Sequence, residues 1–204
     1  YQLLQAGVKV LAVVELMDEI GGWFVHAAKI RRYGIPILTR HTVKEAWGCE
    51  RVEGVTIVAV DEKYEPIPGT EREYEVDALL LAVGLTPDNR LLAQAGAKMV
   101  WLSGAGGFVP LRTIFQETTL RNIFVAGDSS GIEEATTAMV EGAIAALTAV
   151  ERVKGISKED EEYRKKLLKF LWSEYRASPV VKRAAEAKKR ALIDPEKLEE
   201  VIGR

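Results

Sequence analysis

A short apolar segment that ends abruptly in Gly127-Asp128 is the feature that most constrains the fold of this chain. Residues 123–126 read Ile-Phe-Val-Ala, which are residue types of a buried strand. Gly127 allows a tight turn, and Asp128 places a carboxylate at the carboxyl end of that strand, the edge at which open α/β sheets bind ligands. A helix rich in small residues is predicted over 133–152, and amide groups at its start suit an anion. On the local pattern alone, Asp128 is equally explained as a cap of that helix.

A second apolar run lies about 40 residues before the first, in residues 77–89. Six apolar residues at 78–83 precede Gly84, and Pro87 follows shortly after. Taken alone, this run predicts a buried strand and a turn, which any α/β protein contains.

In this order, the two segments resemble motifs of the two-dinucleotide-domain flavoproteins, the pyridine nucleotide–disulfide oxidoreductase superfamily. The family pattern is a threonine, four residues, and then apolar-aromatic-apolar-apolar-Gly-Asp, and residues 118–128 fill every slot. The resemblance covers roughly residues 1–150. It implies that Asp128 hydrogen-bonds the ribityl chain of FAD, that the amides after Gly127 face the flavin or pyrophosphate, and that the next helix runs beneath the flavin.

The glycine-rich loop that opens a dinucleotide-binding unit is not found in these 204 residues. Residues 104–107 are rich in glycine, but no helical pattern follows them, and a flexible connection is predicted there. Residues 8–14 read as the second strand of such a unit, and Glu15 closes it, where the family places the acidic residue that binds the adenosine ribose of NAD. We expect a C-terminal fragment, a truncated gene product or a subunit completed by another chain. The alternative is a domain that has lost dinucleotide binding.

The resemblance also gives the expected site residues and chemistry. No residue is assigned as catalytic or as a metal ligand. The residues implied to bind cofactor are Gly127, Asp128, Thr118, Ala126, Ser129, Gly84, Pro87 and Glu15.

The predicted fold is α/β, a partial Rossmann-like two-dinucleotide-binding-domain flavoprotein fold with a helical C-terminal extension. Residues 1–84 are expected to form a partial NAD(P)-binding domain with a small antiparallel β insertion. Residues 85–153 are expected to form the C-terminal part of the FAD-binding domain, and residues 154–204 a charged helical region.

Individual helices and strands are predicted from the spacing of apolar residues and from the residues that start or stop helices. The predicted strands are 8–15, 35–38, 42–49, 52–60, 73–76 and 78–83, and the predicted helices are 18–33 (capped by Asp18 and stopped by Gly34), 91–95, 133–152, 158–177 and 179–202.

The C-terminal helices carry a mixture of Lys, Arg and Glu that is typical of a solvated face. Leu167, Leu168, Leu171 and Trp172 recur at helical spacing and predict an apolar stripe. The alternative function of this region is docking to a partner through Leu171, Trp172 and Tyr175.

Composition excludes several other classes of function. A net charge of −2 gives no general attraction to nucleic acid or anionic membranes. The single cysteine, Cys49, leaves no disulfide, Cys-x-x-Cys pair or cysteine-ligated metal centre within the chain, fits a reducing cytoplasmic interior, and is predicted to lie in a strand. His26 and His41 lie in no metal-binding spacing.

The sequence therefore indicates part of an FAD- and NAD(H)-dependent oxidoreductase that is not a dithiol–disulfide reductase. Residues 107–110, Gly-Phe-Val-Pro, resemble the large subunits of sarcosine oxidase and of dye-linked proline or opine dehydrogenases. That resemblance implies hydride transfer between a nicotinamide and FAD in one component of an amino-acid or amine dehydrogenase, in a homo- or hetero-oligomer. The alternative is a non-catalytic or truncated subunit that assembles with other chains and holds no complete cofactor site alone.

Overall fold

The computed structural model describes residues 1–179 and 181–202 and divides the chain into two compact units. The first unit is Tyr1–Ala82 and the second is Val83–Arg204. In the part of the chain that the structure describes, no helix is long and apolar enough to cross a bilayer.

The first unit opens with a small parallel βαβ arrangement. Helix α1 spans Gln2–Gln5, strand β1 Val13–Val14, helix α2 Phe24–Arg32 and strand β2 Ile37–Leu38. Strands β1 and β2 pair in parallel, with Val13 opposite Ile37. The predicted order of strand, helix and strand is confirmed, although both strands are shorter than predicted.

The crossover helix α2 begins later than the sequence predicts. Its N-cap is Trp23, and Asp18 instead forms an ion pair with Arg40 at 3.6 Å, so the prediction that Asp18 caps this helix is wrong. Gly21 and Gly22 explain the delay, because glycine loses more backbone entropy than other residues on entering a helix. The predicted end is confirmed, since Gly34 adopts a φ of +73° just after the helix.

The predicted β insertion forms a three-stranded antiparallel sheet in the order β3-β4-β5. Strand β3 spans His41–Trp47, β4 Gly54–Ala59 and β5 Arg72–Glu75. The central strand β4 is buried on both faces, which explains why its sequence lacks a clean apolar–polar alternation. Cys49 is exposed in the turn after β3, so its predicted place in a strand is wrong.

The predicted buried strand at 78–83 is wrong. No strand is formed there, and Leu80, Leu81 and Val83 expose 64%, 68% and 88% of their surface. Among the described residues no strand pairs with this run. An apolar run shows that a segment is fit for burial, but burial requires a neighbour.

The second unit opens with a short helix and a β-hairpin. Helix α3 spans Arg90–Gln94, and strands β6 (Met99–Leu102) and β7 (Gly107–Pro110) pair antiparallel. A 3₁₀ turn, Ser103–Ala105, joins them with Ala105 fully buried. The predicted flexible connection at 104–107 is therefore wrong, because this segment is a packed hairpin turn.

Four further α-helices follow among the residues of the second unit that the structure describes. Helix α4 spans Ala135–Lys154, α5 Lys158–Lys169, α6 Lys182–Lys189 and α7 Leu198–Ile202. Helix α5 continues into a π-helical turn at Phe170–Tyr175.

Two element predictions in this unit need correction. The helix predicted over 179–202 is divided into α6 and α7, with Pro195 in the first turn of a 3₁₀ segment before α7. The strand predicted at 123–126 forms only an isolated bridge between Glu117 and Phe124.

The C-terminal helix α6 packs on the hairpin. Ala187 of α6 and the following Ala191 form a buried apolar cluster with Ala105 and Val109. This packing positions α6 beside the loop described next.

Candidate functional site

The loop at 127–131 carries the sequence-predicted Asp128 on a rigid base. Gly127–Ser130 forms a 3₁₀ turn that follows Ala126 in extended conformation. Gly127 has a φ of +69°, and a Cβ there would lie 3.2 Å from Cβ of Ala138, so the loop lies tightly against α4. Only glycine fits this close approach without strain.

The Asp128 carboxylate is exposed and makes no hydrogen bond or ion pair with any residue that the structure describes. The N-cap of α4 is Glu134, without a capping side-chain bond, so the interpretation of Asp128 as a helix cap is wrong. The backbone N–H of Asp128 also has no acceptor among residues 1–179 and 181–202. The loop thus offers one carboxylate acceptor and one amide donor to a ligand.

The first turns of α4 continue this exposed surface. Ala135, Thr136 and Met139 are exposed, and Met139 exposes 76% of its surface. They belong to the helix that the resemblance places beneath the flavin, together with Glu141 and Gly142, of which Glu141 is fully buried. A carboxylate, a free backbone amide and an exposed helix surface of small and apolar side chains suit a cofactor with ribityl hydroxyls and a flat ring, so the residues present fit FAD.

Directly behind the loop lies a group of buried charges that the sequence did not predict. Glu141 is fully buried and accepts hydrogen bonds from the Gly127 N–H at 2.8 Å and from the Ser130 hydroxyl at 2.7 Å. We call the group around it the ion cluster. Its members are Arg112, Glu133, Glu141, Arg176 and Lys188.

Contacts within the ion cluster are short. Arg176 Nη2 lies 2.6 Å from both Glu133 Oε2 and Glu141 Oε1. Lys188 Nζ lies 3.1 Å from Glu133 Oε2 and from Glu141 Oε2. Arg112 Nη2 lies 3.6 Å from Glu141 Oε1. The side chains of all five residues expose 2% or less of their surface.

The ion cluster holds three cations and two carboxylates and therefore has one positive charge in excess. Among the described residues, Arg112 Nη1 and Nη2 and Arg176 Nη1 are buried without a hydrogen-bond acceptor. Unmatched donors are costly in a protein interior, and they attract negative charge.

These contacts and the burial of the cluster shift the pKa values of its residues. Burial alone would raise the pKa of Glu141, but the charges of Lys188, Arg112 and Arg176 outweigh it and hold the pKa at about 2. Burial likewise opposes ionisation of Glu133, and the hydrogen bond from Arg176 nevertheless lowers its pKa. Burial lowers the pKa of Lys188, and the two carboxylates partly offset that effect.

The structure brings together only some of the predicted site residues. Ala126 to Ser129 lie on one loop. Pro87 is buried, and both Pro87 and Ile132, which follows that loop, lie next to Gly106 of the hairpin turn. A Cβ on Gly106 would lie 3.2 Å from Pro87 Cδ and 2.8 Å from Ile132 Cγ1.

Other predicted residues have local roles in the structure. Thr118 is fully buried, and its hydroxyl accepts from the Leu120 N–H at 3.1 Å. Gly84 is exposed with a φ of +115°. Glu15 lies in the first unit at the end of β1, where Oε1 accepts from the Met17 N–H at 3.0 Å.

The C-terminal side chains predicted to dock a partner are used within the second unit. Leu171 is fully buried, the Arg176 guanidinium lies 4.2 Å from the Trp172 ring centre, and the Tyr175 hydroxyl donates to Glu134 at 2.5 Å. The docking prediction is therefore wrong for Leu171, and it stays a prediction for Trp172 and Tyr175, which are half-buried.

The predicted solvated face of the C-terminal helices is wrong for Arg176 and Lys188. A local signal existed only for Lys188, because alanines at 184, 185 and 191 lie three or four residues from it, on the same helical face. Within the described residues, no group of three or more His, Cys, Asp and Glu side chains is arranged to hold a metal ion.

The chain is similar to known proteins at the level of family, sequence and fold. The sequence model of the family described as pyridine nucleotide-disulphide oxidoreductase matches residues 2–142.

Curated relatives are components of larger enzymes. An opine oxidase subunit of Rhizobium meliloti is 34% identical over 103 residues, which are 50% of this chain and 18% of the relative. The corresponding opine oxidase subunit of Agrobacterium tumefaciens is 25% identical over 165 residues, covering 76% of this chain and 33% of the relative. Hydrogen cyanide synthase subunit HcnB of Pseudomonas aeruginosa is 30% identical over 115 residues, covering 56% of this chain and 25% of the relative. The chain thus spans a third or less of each.

Solved structures share the fold. Thioredoxin reductase of T. acidophilum superposes with a TM-score of 0.59 at 24% identity, covering 71% of this chain and 45% of that one. Bacillithiol disulfide reductase of Staphylococcus aureus gives a TM-score of 0.52 at 17% identity, covering 74% of this chain and 46% of that one. At these identities the likeness is one of fold.

Proposed function

Because the chain belongs to the pyridine nucleotide-disulphide oxidoreductase family, whose model matches residues 2–142, we propose that it forms part of a flavin-dependent oxidoreductase with FAD bound at the loop 127–131. The observation that carries the proposal is the exposed Asp128 carboxylate, which has no partner among the described residues and lies beside the free backbone N–H of the same residue. A carboxylate of this kind is an acceptor for the hydroxyl groups of a ribityl chain.

Bound FAD would supply the redox chemistry, accepting hydride from or delivering it to a nicotinamide. The chain's own residues would bind and orient. Asp128 would hold the ribityl chain, and the amides of Asp128 and Ser129 would face the pyrophosphate or the flavin. Thr118, Ala126, Gly84 and Pro87 would shape the surrounding backbone.

Glu15 would bind the ribose hydroxyls of the nicotinamide dinucleotide. Its negative charge favours NAD over NADP, because a 2′-phosphate would be repelled. The 204 residues hold one cysteine, so this part of the protein supplies no dithiol for disulfide chemistry.

The substrate class we propose is an amino acid or amine. The support is the likeness to subunits of opine oxidase and of hydrogen cyanide synthase. Residues outside these 204, in another chain or in the same polypeptide, would supply the missing glycine-rich loops and a neighbour for the exposed run at 80–83.

A second candidate is a non-catalytic subunit that completes no cofactor site. The absence of a Gly-x-Gly-x-x-Gly loop from these residues and the exposure of Leu80, Leu81 and Val83 favour it.

The deciding experiment measures FAD bound per protein, from the visible spectrum after desalting, in the assembled enzyme. Asp128→Ala should weaken FAD binding about tenfold or more, because it removes hydrogen bonds to a charged group. Glu62→Ala replaces an exposed acidic residue in the first unit and should leave FAD content unchanged. Equal FAD content in both variants would refute the site, and an assembly without FAD would favour the second candidate.

A further inference from the structure

We propose that the ion cluster tunes the redox state of the flavin at the loop 127–131, with Lys188 of helix α6 as the positioning residue that gives the cluster its excess positive charge. The inference rests on the proposed function, because it concerns the FAD site. It assigns a redox role to the C-terminal region, which lies beyond the family match at residues 2–142.

Lys188 reaches the loop from a distant part of the sequence. A Cβ on Gly131 would lie 3.1 Å from Lys188 Cγ and 3.2 Å from Cε, so the lysine stem passes directly against the end of the loop. Its ammonium donates to the Gly127 carbonyl at 3.4 Å. The lysine therefore contacts both ends of the loop that carries Asp128.

Glu141 connects the charges to the same backbone. One of its oxygens accepts from both the Gly127 N–H and the Ser130 hydroxyl, and it also contacts Lys188. Hydrogen bonds thus join the cluster to the loop with no intervening residue. Because the cluster is buried, water screens its charge poorly, and the charge acts over a longer distance than a surface charge does.

The sign of the excess charge determines its effect. Hydride transfer delivers two electrons and one proton, so the reduced flavin carries one negative charge more than the oxidised flavin. A buried excess positive charge stabilises that added charge and favours the reduced form.

Two substitutions in the cluster should act in opposite directions. Lys188→Met removes a cation at nearly constant volume and makes the cluster neutral, so the flavin reduction potential should fall. Glu133→Gln removes an anion and doubles the excess charge, so the potential should rise. A residue with only a packing role would not give opposite signs.

The measurement is the flavin reduction potential of the assembled enzyme, by equilibration with a reference dye. One unit charge about 10 Å from another, at an effective dielectric constant of about 20, changes an equilibrium roughly tenfold. A tenfold change corresponds to about 30 mV for a two-electron couple. Lys189→Met, an exposed lysine next along α6, is the matched control and should leave the potential unchanged.

Each outcome decides the inference. Opposite shifts for Lys188→Met and Glu133→Gln support it, whereas unchanged potentials or shifts of the same sign overturn it. If Glu133→Gln does not fold, the comparison of Lys188→Met with Lys189→Met decides alone. An assembly that holds no FAD refutes the proposed function as well, while a normal FAD content with unmoved potentials refutes only the redox role.

Discussion

At Gly106 the chain requires glycine for two separate reasons. The residue has a φ of +90°, and a Cβ there would lie 2.8 Å from the Leu85 carbonyl oxygen. Gly96 has the same φ but open space around a Cβ, so it isolates the backbone effect. Gly96→Ala should lower the free energy of unfolding by about 1 kcal/mol, and Gly106→Ala by about 2–4 kcal/mol, since overpacking adds to the backbone strain. Urea unfolding of the two variants measures the difference, and equal losses would mean that the contact with Leu85 contributes nothing.

Glu141 should make the stability of the second unit depend on acid pH. Its pKa falls from an ordinary 4.5 to about 2 in the folded state, so the stabilisation is complete above pH 4.5 and is lost as the pH falls toward 2. The loss should be about 3 kcal/mol, and the lowered pKa of Glu133 acts in the same direction. Urea unfolding at several pH values between neutral and pH 2 measures it.

Glu141→Gln is the control for that pH dependence. The amide does not titrate, so the variant should be less stable at neutral pH and should show a flatter stability profile between pH 4.5 and 2. A profile as steep as that of the wild type would assign the acid sensitivity to other carboxylates.

Residue predictions rest on local signals. Asp128 was singled out because a strand-like segment, a glycine and an acid follow one another in the sequence, and its role at a cofactor stays a prediction. Arg176 and Lys188 were missed because their carboxylate partners, Glu133 and Glu141, lie 35 to 55 residues away in the sequence. A lysine on a highly charged helix is predicted to be exposed to solvent, and only the packing of that helix shows that it is buried.

At the scale of elements, the start of α5 depends on one side chain. Ser157 Oγ accepts from the Asp160 N–H at 3.0 Å and so caps the helix. Ser157→Ala should lower the free energy of unfolding by about 1 kcal/mol. Ser157→Asn should keep most of the stability of the wild type, because asparagine also caps helices. Thermal unfolding of both variants tests this, and equal melting temperatures would rule out capping as the cause.

Helices were predictable where their backbone hydrogen bonds form within the helix, and strands were predictable where the pairing strand lies next in the sequence. The sheet of β3, β4 and β5 and the helix α4 belong to this group. The strand predicted at 78–83 does not, because pairing needs a neighbour, and the sequence pattern reports only that the segment is apolar. The same reason accounts for the isolated bridge at Phe124 in place of a strand.

At the scale of the whole molecule, the exposed run around Leu81 and Val83 should matter for assembly and not for the isolated chain. Leu81→Ser with Val83→Ser should change the free energy of unfolding by less than about 0.5 kcal/mol per site, because both side chains are exposed. The same double variant should weaken formation of the assembled enzyme, as measured by size exclusion. Leu91→Ser, at a residue 82% exposed on α3, is the control. Unchanged assembly of the double variant would refute a role for this run as an interface.

The ion cluster also limits where the polypeptide can be truncated or fused to another protein. Judged from the sequence alone, shortening the chain near residue 154 removes only charged helices that are expected to face solvent. It would in fact delete Arg176 and Lys188 and leave Arg112 alone with Glu133 and Glu141. The surroundings of the loop would then carry one negative charge where they now carry one positive charge.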